Sequence, residues 1–127
     1  MTMGWCFEEE RDDTSEAILD RLLFGGAAVP SIWTFEVANT LVVGERCKRL
    51  SKLDMWKFLE FLAALPISID VDSTSRALGP ILALAREQNL SAYDAAYLEL
   101  AIREGLPLAT RDAALERSAA LLGVSVV

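Results

Sequence analysis

Short apolar runs alternate with capped helical stretches along this chain, and that alternation limits its architecture more than any other feature. Residues 27–29 (closed by Pro30), 67–71, 106–110 and 124–127 read as strands. Helices are expected over residues 14–24, 31–50, 52–65, 72–88, 91–105 and 112–122. Their starts carry side chains that accept from free backbone N–H groups: Thr14 or Ser15, Ser31, Ser51, Asp72 with Ser73, Ser91 and Asp112. Gly25-Gly26, Pro66, Gly105 and Gly123 mark helix ends. Strands separated by helices favour a mostly parallel central sheet covered on both faces, an α/β three-layer sandwich. The four legible strands are short, and the chain opens in helix with no strand before it.

At 127 residues the chain has the length of one domain with a self-sufficient core, so a single domain over residues 1–127 is expected. Hydrophobic residues make up 53%, which excludes a disordered chain. No apolar stretch approaches the ~18 residues of a membrane span. The longest, residues 32–44, is interrupted by Glu36 and Asn39. The N-terminus has no basic start and turns acidic at Glu8, unlike a secretory leader, so a cytoplasmic protein without membrane contact is expected. Cys6 and Cys47 form no CxxC pair and read as reduced thiols. Histidine is absent, which removes Ser-His-Asp and Cys-His chemistry and histidine-ligated zinc. Any chemistry falls to carboxylates, hydroxyls, Lys or Arg. The net charge of -7 repels nucleic acid as a whole, so acting on it requires local cations or bound metal.

In sheets of this class, sites gather at the carboxyl ends of strands, and three acids stand out near element ends. Glu36 is the sole charged residue within 32–43. A carboxylate among apolar side chains needs a cavity, a partner such as Asn39, or a route to solvent. Asp94 closes Ser91-Ala92-Tyr93-Asp94, a capping-box pattern in which the acid also meets the positive helix end. Asp112 follows the expected third strand and suits the N-cap of the last helix. Each acid thus has a purely structural reading. Gathered together, they would suit Mg2+ or Mn2+, which prefer hard oxygen ligands. Such a metal polarises a phosphodiester and activates water.

The segment Pro30-Ser31-Ile32-Trp33-Thr34-Phe35-Glu36-Val37-Ala38-Asn39 resembles the second acidic motif of VapC-type PIN domains. Leu90-Ser91-Ala92-Tyr93-Asp94-Ala95-Ala96-Tyr97-Leu98-Glu99-Leu100-Ala101 is similar to their third motif, and Leu106-Pro107-Leu108-Ala109-Thr110-Arg111-Asp112-Ala113-Ala114-Leu115 to their fourth. Trp5-Cys6-Phe7-Glu8-Glu9-Glu10-Arg11 resembles the helix that follows the family's opening strand. The likeness covers nearly the whole chain in the right order. It implies a PIN-like three-layer sandwich and a ribonuclease that hydrolyses RNA phosphodiester bonds with a carboxylate-bound Mg2+ or Mn2+. It further implies the toxin of a VapBC-type toxin–antitoxin pair, neutralised by a small antitoxin and often homodimeric. Glu36, Asp94 and Asp112 match the family's acidic metal-site positions, and Thr110 matches a polar position near them.

One departure stands against this match. The family pattern opens with an apolar strand ending in Asp, where this chain has Met1-Thr2-Met3-Gly4. Glu8, Glu9 and Glu10 lie past the helix start and do not replace that acid. Without its central strand a sheet leaves unpaired backbone groups. A start assigned too far downstream, or a truncated and inactive copy, accounts for the gap, and the intact later motifs favour the first. The alternative function is therefore an inactive PIN module that only binds an antitoxin or another partner. A phosphoacceptor receiver is a third idea, but its early acid pair and late lysine are missing, Lys57 being the last lysine.

Other features are secondary. Arg46, Lys48, Arg49 and Lys52 cluster between two helices, either facing phosphate or complementing a helix C-terminus. Helix 52–65 keeps only Asp54, Lys57 and Glu60 as a polar stripe, which suits a partner surface or a fully buried core helix. Glu99 and Arg103 form an i,i+4 pair with no function expected.

Overall fold

The structure is a computed structural model and describes residues 12–127; the features read at residues 1–11, Cys6 included, lie outside the described residues. The element order is α1 (Asp13–Gly25), β1 (Ala27–Pro30), α2 (Ile32–Arg46), α3 (Lys52–Ala64), β2 (Ile67–Asp70) and α4 (Ser73–Arg76). A π-helical turn (Ala77–Ile81) follows, then α5 (Leu82–Gln88), α6 (Ala92–Glu104) and α7 (Ala113–Leu121). Strands β1 and β2 form a parallel two-stranded sheet, so the chain is a helix-rich α/β fold.

The chain divides into two compact units. One runs up to Ala27 and resumes over Trp33–Ser68; the other takes Ala28–Ile32 and Ile69–Val127. In the first, α1, α2 and α3 bury Leu22, Val37, Leu41, Leu50 and Phe58 together. In the second, Leu98 and Ala101 of α6 meet Leu108 and the α7 residues Leu115 and Ala119. Ile81 and Ala85 pack on Ala95 and Ala96 in the same unit. Each large side chain so buried stabilises the fold by roughly 1.5–3 kcal/mol.

Local chemistry sets the element boundaries. Asp12 caps α1, not Thr14 or Ser15: its Oδ1 accepts from Ser15 N at 2.8 Å, and Ser15 Oγ accepts from Asp12 N at 3.1 Å. Gly26 ends that helix with φ 76, and a Cβ there would stand 3.0 Å from the Pro66 carbonyl oxygen. The same oxygen accepts from Ala27 N at 3.0 Å, so a side chain at 26 would collide with the start of the sheet. Ser31 does not spend its hydroxyl on α2. Its Oγ lies 2.9 Å from both Ser73 Oγ and Thr74 Oγ1, and its N–H donates to Ser73 Oγ at 2.9 Å. Asp72 makes no side-chain cap; instead Ser73 Oγ donates to the Asp70 carbonyl at 2.9 Å.

Two expected strands shrink to one bridge. Among the described residues, 106–110 and 124–127 meet only as a parallel pairing of Leu108 with Val126. Leu108 N donates to Ser125 O at 2.8 Å and Val127 N to Leu108 O at 3.0 Å. The other donors are committed to helix ends. Leu106 N closes α6 on Ala101 O at 2.9 Å, and Val124 N closes α7 on Ala119 O at 2.8 Å. Pro107 has no N–H to offer.

Two helices also depart from expectation. The expected helix 72–88 is interrupted by the π turn, which contains Pro80. A proline there removes one donor and pushes on the carbonyl four residues back, which a wider turn accommodates. Helix α2 stops at Arg46, short of residue 50, because Lys48 takes φ 60 and lets Arg49 N close on Gly44 O at 2.8 Å. A left-handed residue bearing a Cβ is strained there. Lys48→Gly should therefore raise stability by about 0.5–1 kcal/mol in urea unfolding; a loss of stability would contradict that account.

Among the described residues, no helix is long and apolar enough to cross a membrane.

Candidate functional site

Ser91 caps α6, its Oγ accepting from Asp94 N at 3.1 Å. The same four-residue pattern opens α3, and there the box is complete: Ser51 Oγ accepts from Asp54 N at 3.1 Å, and Asp54 Oδ2 accepts from Ser51 N at 3.2 Å. In α6 the return bond is not made among the described residues, so the capping box read at Asp94 is only half formed. Asp94 is half-buried as a residue, and its carboxylate is not used by the cap. The two starts share sequence logic and differ in what the acid does.

Asp112 behaves as its pattern suggests. It is the N-cap of α7, and its Oδ2 accepts from Leu115 N at 3.0 Å. Its own N–H donates to Thr110 Oγ1 at 3.1 Å, which ties Thr110 to the start of the helix. The cap occupies one carboxylate oxygen, leaving Oδ1 outside it. Asp94, Thr110 and Asp112 all belong to the second unit.

Glu36 belongs to the first unit, on α2. It is exposed, so the apolar run around it imposes no burial on its carboxylate. Thr40 turns its hydroxyl to the Glu36 backbone carbonyl at 2.9 Å. Among the described residues, no group of three or more Asp, Glu or Cys side chains is placed to hold a metal ion together.

The Glu99–Arg103 pair read from the sequence belongs to a larger charged cluster in the second unit, which Asp70 and Arg76 join. Glu99, expected as half of an ordinary i,i+4 pair, is 6% exposed. Arg103 donates to it twice, from Nε to Oε1 at 3.0 Å and from Nη2 to Oε2 at 3.2 Å. Arg76 Nε donates to the same Oε1. The Arg103 fork also grips Asp70, through Nη1 to Oδ1 at 3.3 Å and through Nη2 to Oδ2. Two acids and two guanidinium groups thus tie the end of β2 and α4 to α6.

The electrostatics follow from that geometry. Burial works to raise the Glu99 carboxyl, but the hydrogen bonds from Arg103 and Arg76 outweigh it and hold it below its ordinary value. The Arg103 hydrogen bonds hold Asp70 below its ordinary value as well, and the two acids raise Arg103. Groups depressed on folding contribute stability that is present above their unfolded pKa and lost as pH falls through the folded one. Stability should therefore decline as pH drops below about 4, seen as a falling urea midpoint. Arg103→Met should flatten that decline, and an unchanged slope would remove the cluster as its cause.

Helix α3 resolves the choice left open by its apolar composition. Phe58 is its one buried residue, whereas Leu53, Trp56 and Leu59 are exposed. It is not a fully buried core helix. Cys47 is a free, exposed thiol.

Comparison with known proteins gives one result. The family model described as PIN domain matches residues 3–121. No curated protein and no solved structure matches the chain.

Proposed function

The chain belongs to the PIN-domain family, and from that premise we propose that it is a metal-dependent endoribonuclease, the toxin of a VapBC-type pair, acting on RNA through Glu36, Asp94 and Asp112. Members of the family are generally nucleases that act on nucleic acids with divalent metals. The observation that carries the finer reading is Asp94, a half-buried residue at a helix start whose carboxylate takes no part in the cap it is positioned to complete.

Three carboxylates in a chain without histidine offer the oxygen donors that Mg2+ and Mn2+ prefer, so the residue types fit such an ion. Glu36, Asp94 and Asp112 would hold it, and once bound it supplies polarisation of the phosphate and acidification of water. The chain contributes preorganisation: the bond to Leu115 N holds the Asp112 carboxylate, and the bond to Thr110 holds the loop before it. We expect the protein to cleave RNA with Mg2+ or Mn2+ and to stop when EDTA removes the metal; cleavage that continues in EDTA would overturn the metal dependence.

A second reading has its own support. No metal-holding group of acids forms among the described residues, and α3 exposes Leu53, Trp56 and Leu59. In that reading the chain is a catalytically inactive PIN module, binding a small antitoxin or a second copy of itself. It expects no cleavage with either metal and a stable complex in size-exclusion chromatography.

A further inference from the structure

The turn between α2 and α3 concentrates positive charge on an acidic chain. Arg46, Lys48, Arg49 and Lys52 are four of the 12 Lys and Arg residues, and no acid interrupts residues 46–53. Arg46, Lys48 and Lys52 are exposed. Among the described residues they enter no ion pair, whereas Arg76 and Arg103 are consumed by carboxylates. The turn is held in shape: Lys48 N donates to Glu45 O at 3.0 Å, Arg49 N to Gly44 O at 2.8 Å, and Leu50 is buried beneath. A lysine occupies the left-handed position that glycine would fill with less strain. Backbone strain retained at one residue points to a use for its side chain.

An aromatic ring accompanies the charge. Trp56 is 67% exposed and lies one helical turn beyond Lys52, on the same side of α3. Cations that follow a phosphate backbone, beside an exposed ring on which bases stack, are the working parts of a surface for single-stranded nucleic acid. An acidic protein would use the cations without needing the ring. We propose that Arg46, Lys48, Lys52 and Trp56 form a binding surface for single-stranded RNA, a proposal that takes its choice of ligand from the ribonuclease reading. Glu36 and Arg46 are ten residues apart on α2, about 15 Å along its axis. A strand held at the turn would then have its flanking nucleotides within reach of the end of the helix that bears Glu36.

The test measures binding in EDTA, so that it stands apart from cleavage, using anisotropy of a short fluorescein-labelled oligouridylate over a series of salt concentrations. Lys48→Gly should raise the melting temperature yet weaken binding several-fold and lessen the log–log salt slope by about 0.7, the share of one phosphate contact on a single strand. Trp56→Ala should weaken binding roughly tenfold. Arg86→Gln, the loss of one exposed cation on α5, should change neither by a comparable amount. The proposal is overturned if the parent protein does not bind oligouridylate. It is overturned equally if Lys48→Gly binds as the parent does, which would leave the lysine as a helix-end charge. Binding of a polyglutamate peptide in place of oligouridylate, indifferent to Trp56→Ala, would assign the turn to an acidic protein and overturn it too. Loss of cleavage with this binding intact would instead count against the ribonuclease reading alone.

Discussion

Asp94→Asn should reduce metal-stimulated RNA cleavage by well over 100-fold while leaving the fold nearly as stable as before. The two halves of this expectation rest on different atoms. Ser91 Oγ bonds the backbone N–H of residue 94, and that bond survives any side chain at the position. What the substitution removes is a negative charge near a helix N-terminus, which contributes only about 0.3–1 kcal/mol. The catalytic loss is larger because the carboxylate is proposed as a direct metal ligand. Changes one layer further out already reduce metal affinity or activity by about 10–100-fold. Asp54→Asn is the matched control. It occupies the same place in α3, but its carboxylate completes a capping box and is held below its ordinary pKa by hydrogen bonds from Ser51. Its effect should fall on stability and not on cleavage. Cleavage by Asp94→Asn at the parent rate would remove Asp94 from the site.

The second large effect belongs to stability. Glu99→Ala should destabilise the protein by about 3 kcal/mol, because breaking a buried ion pair leaves its partner charges uncompensated. Arg103 would keep Asp70, but its Nε would lose its acceptor, and Arg76 would lose its carboxylate. A melting temperature lowered by on the order of 10 °C is the expected readout. Glu99→Gln preserves volume and one acceptor oxygen, so it should fall between parent and Ala. A Glu99→Ala protein that melts within about a degree of the parent would show that the cluster contributes little. That outcome would fit the view that paired buried charges only offset their own desolvation.

Helix starts are legible in this sequence because capping is decided within a few residues. Ser51, Ser91 and Asp112 all cap where their patterns place them. The fate of the acid three positions on is less legible: Asp54 returns its bond and Asp94 does not, though both stand in the same Ser-x-x-Asp pattern. Strand length is not legible for a different reason. The N–H of Leu106 or Val124 suits either a strand ladder or the closure of the helix before it, and here both close helices. Leu108 and Val126 are left to pair alone. The Asp70–Arg103–Glu99–Arg76 cluster escapes a linear reading because Asp70 and Arg76 lie 33 and 23 residues from their partners. Alternating strands and helices do announce the α/β class, and the likeness of the acidic motifs agrees with the PIN-domain match over residues 3–121.

The wide turn at Ala77–Ile81 bears on which changes of length the chain can absorb. One residue more than an α-helix requires rotates everything after it by about 100°. That rotation puts Ile81 and Ala85 inward against α6 and leaves Pro80 outside. Deleting a single residue between 77 and 80 would swing the chain from Ile81 to Gln88 back by the same angle, turning Ile81 and Ala85 to water. The exposed side chains of this stretch, at 78 to 80, face no such constraint, but its residue count behaves as a fixed gear ratio between the two halves of the helix.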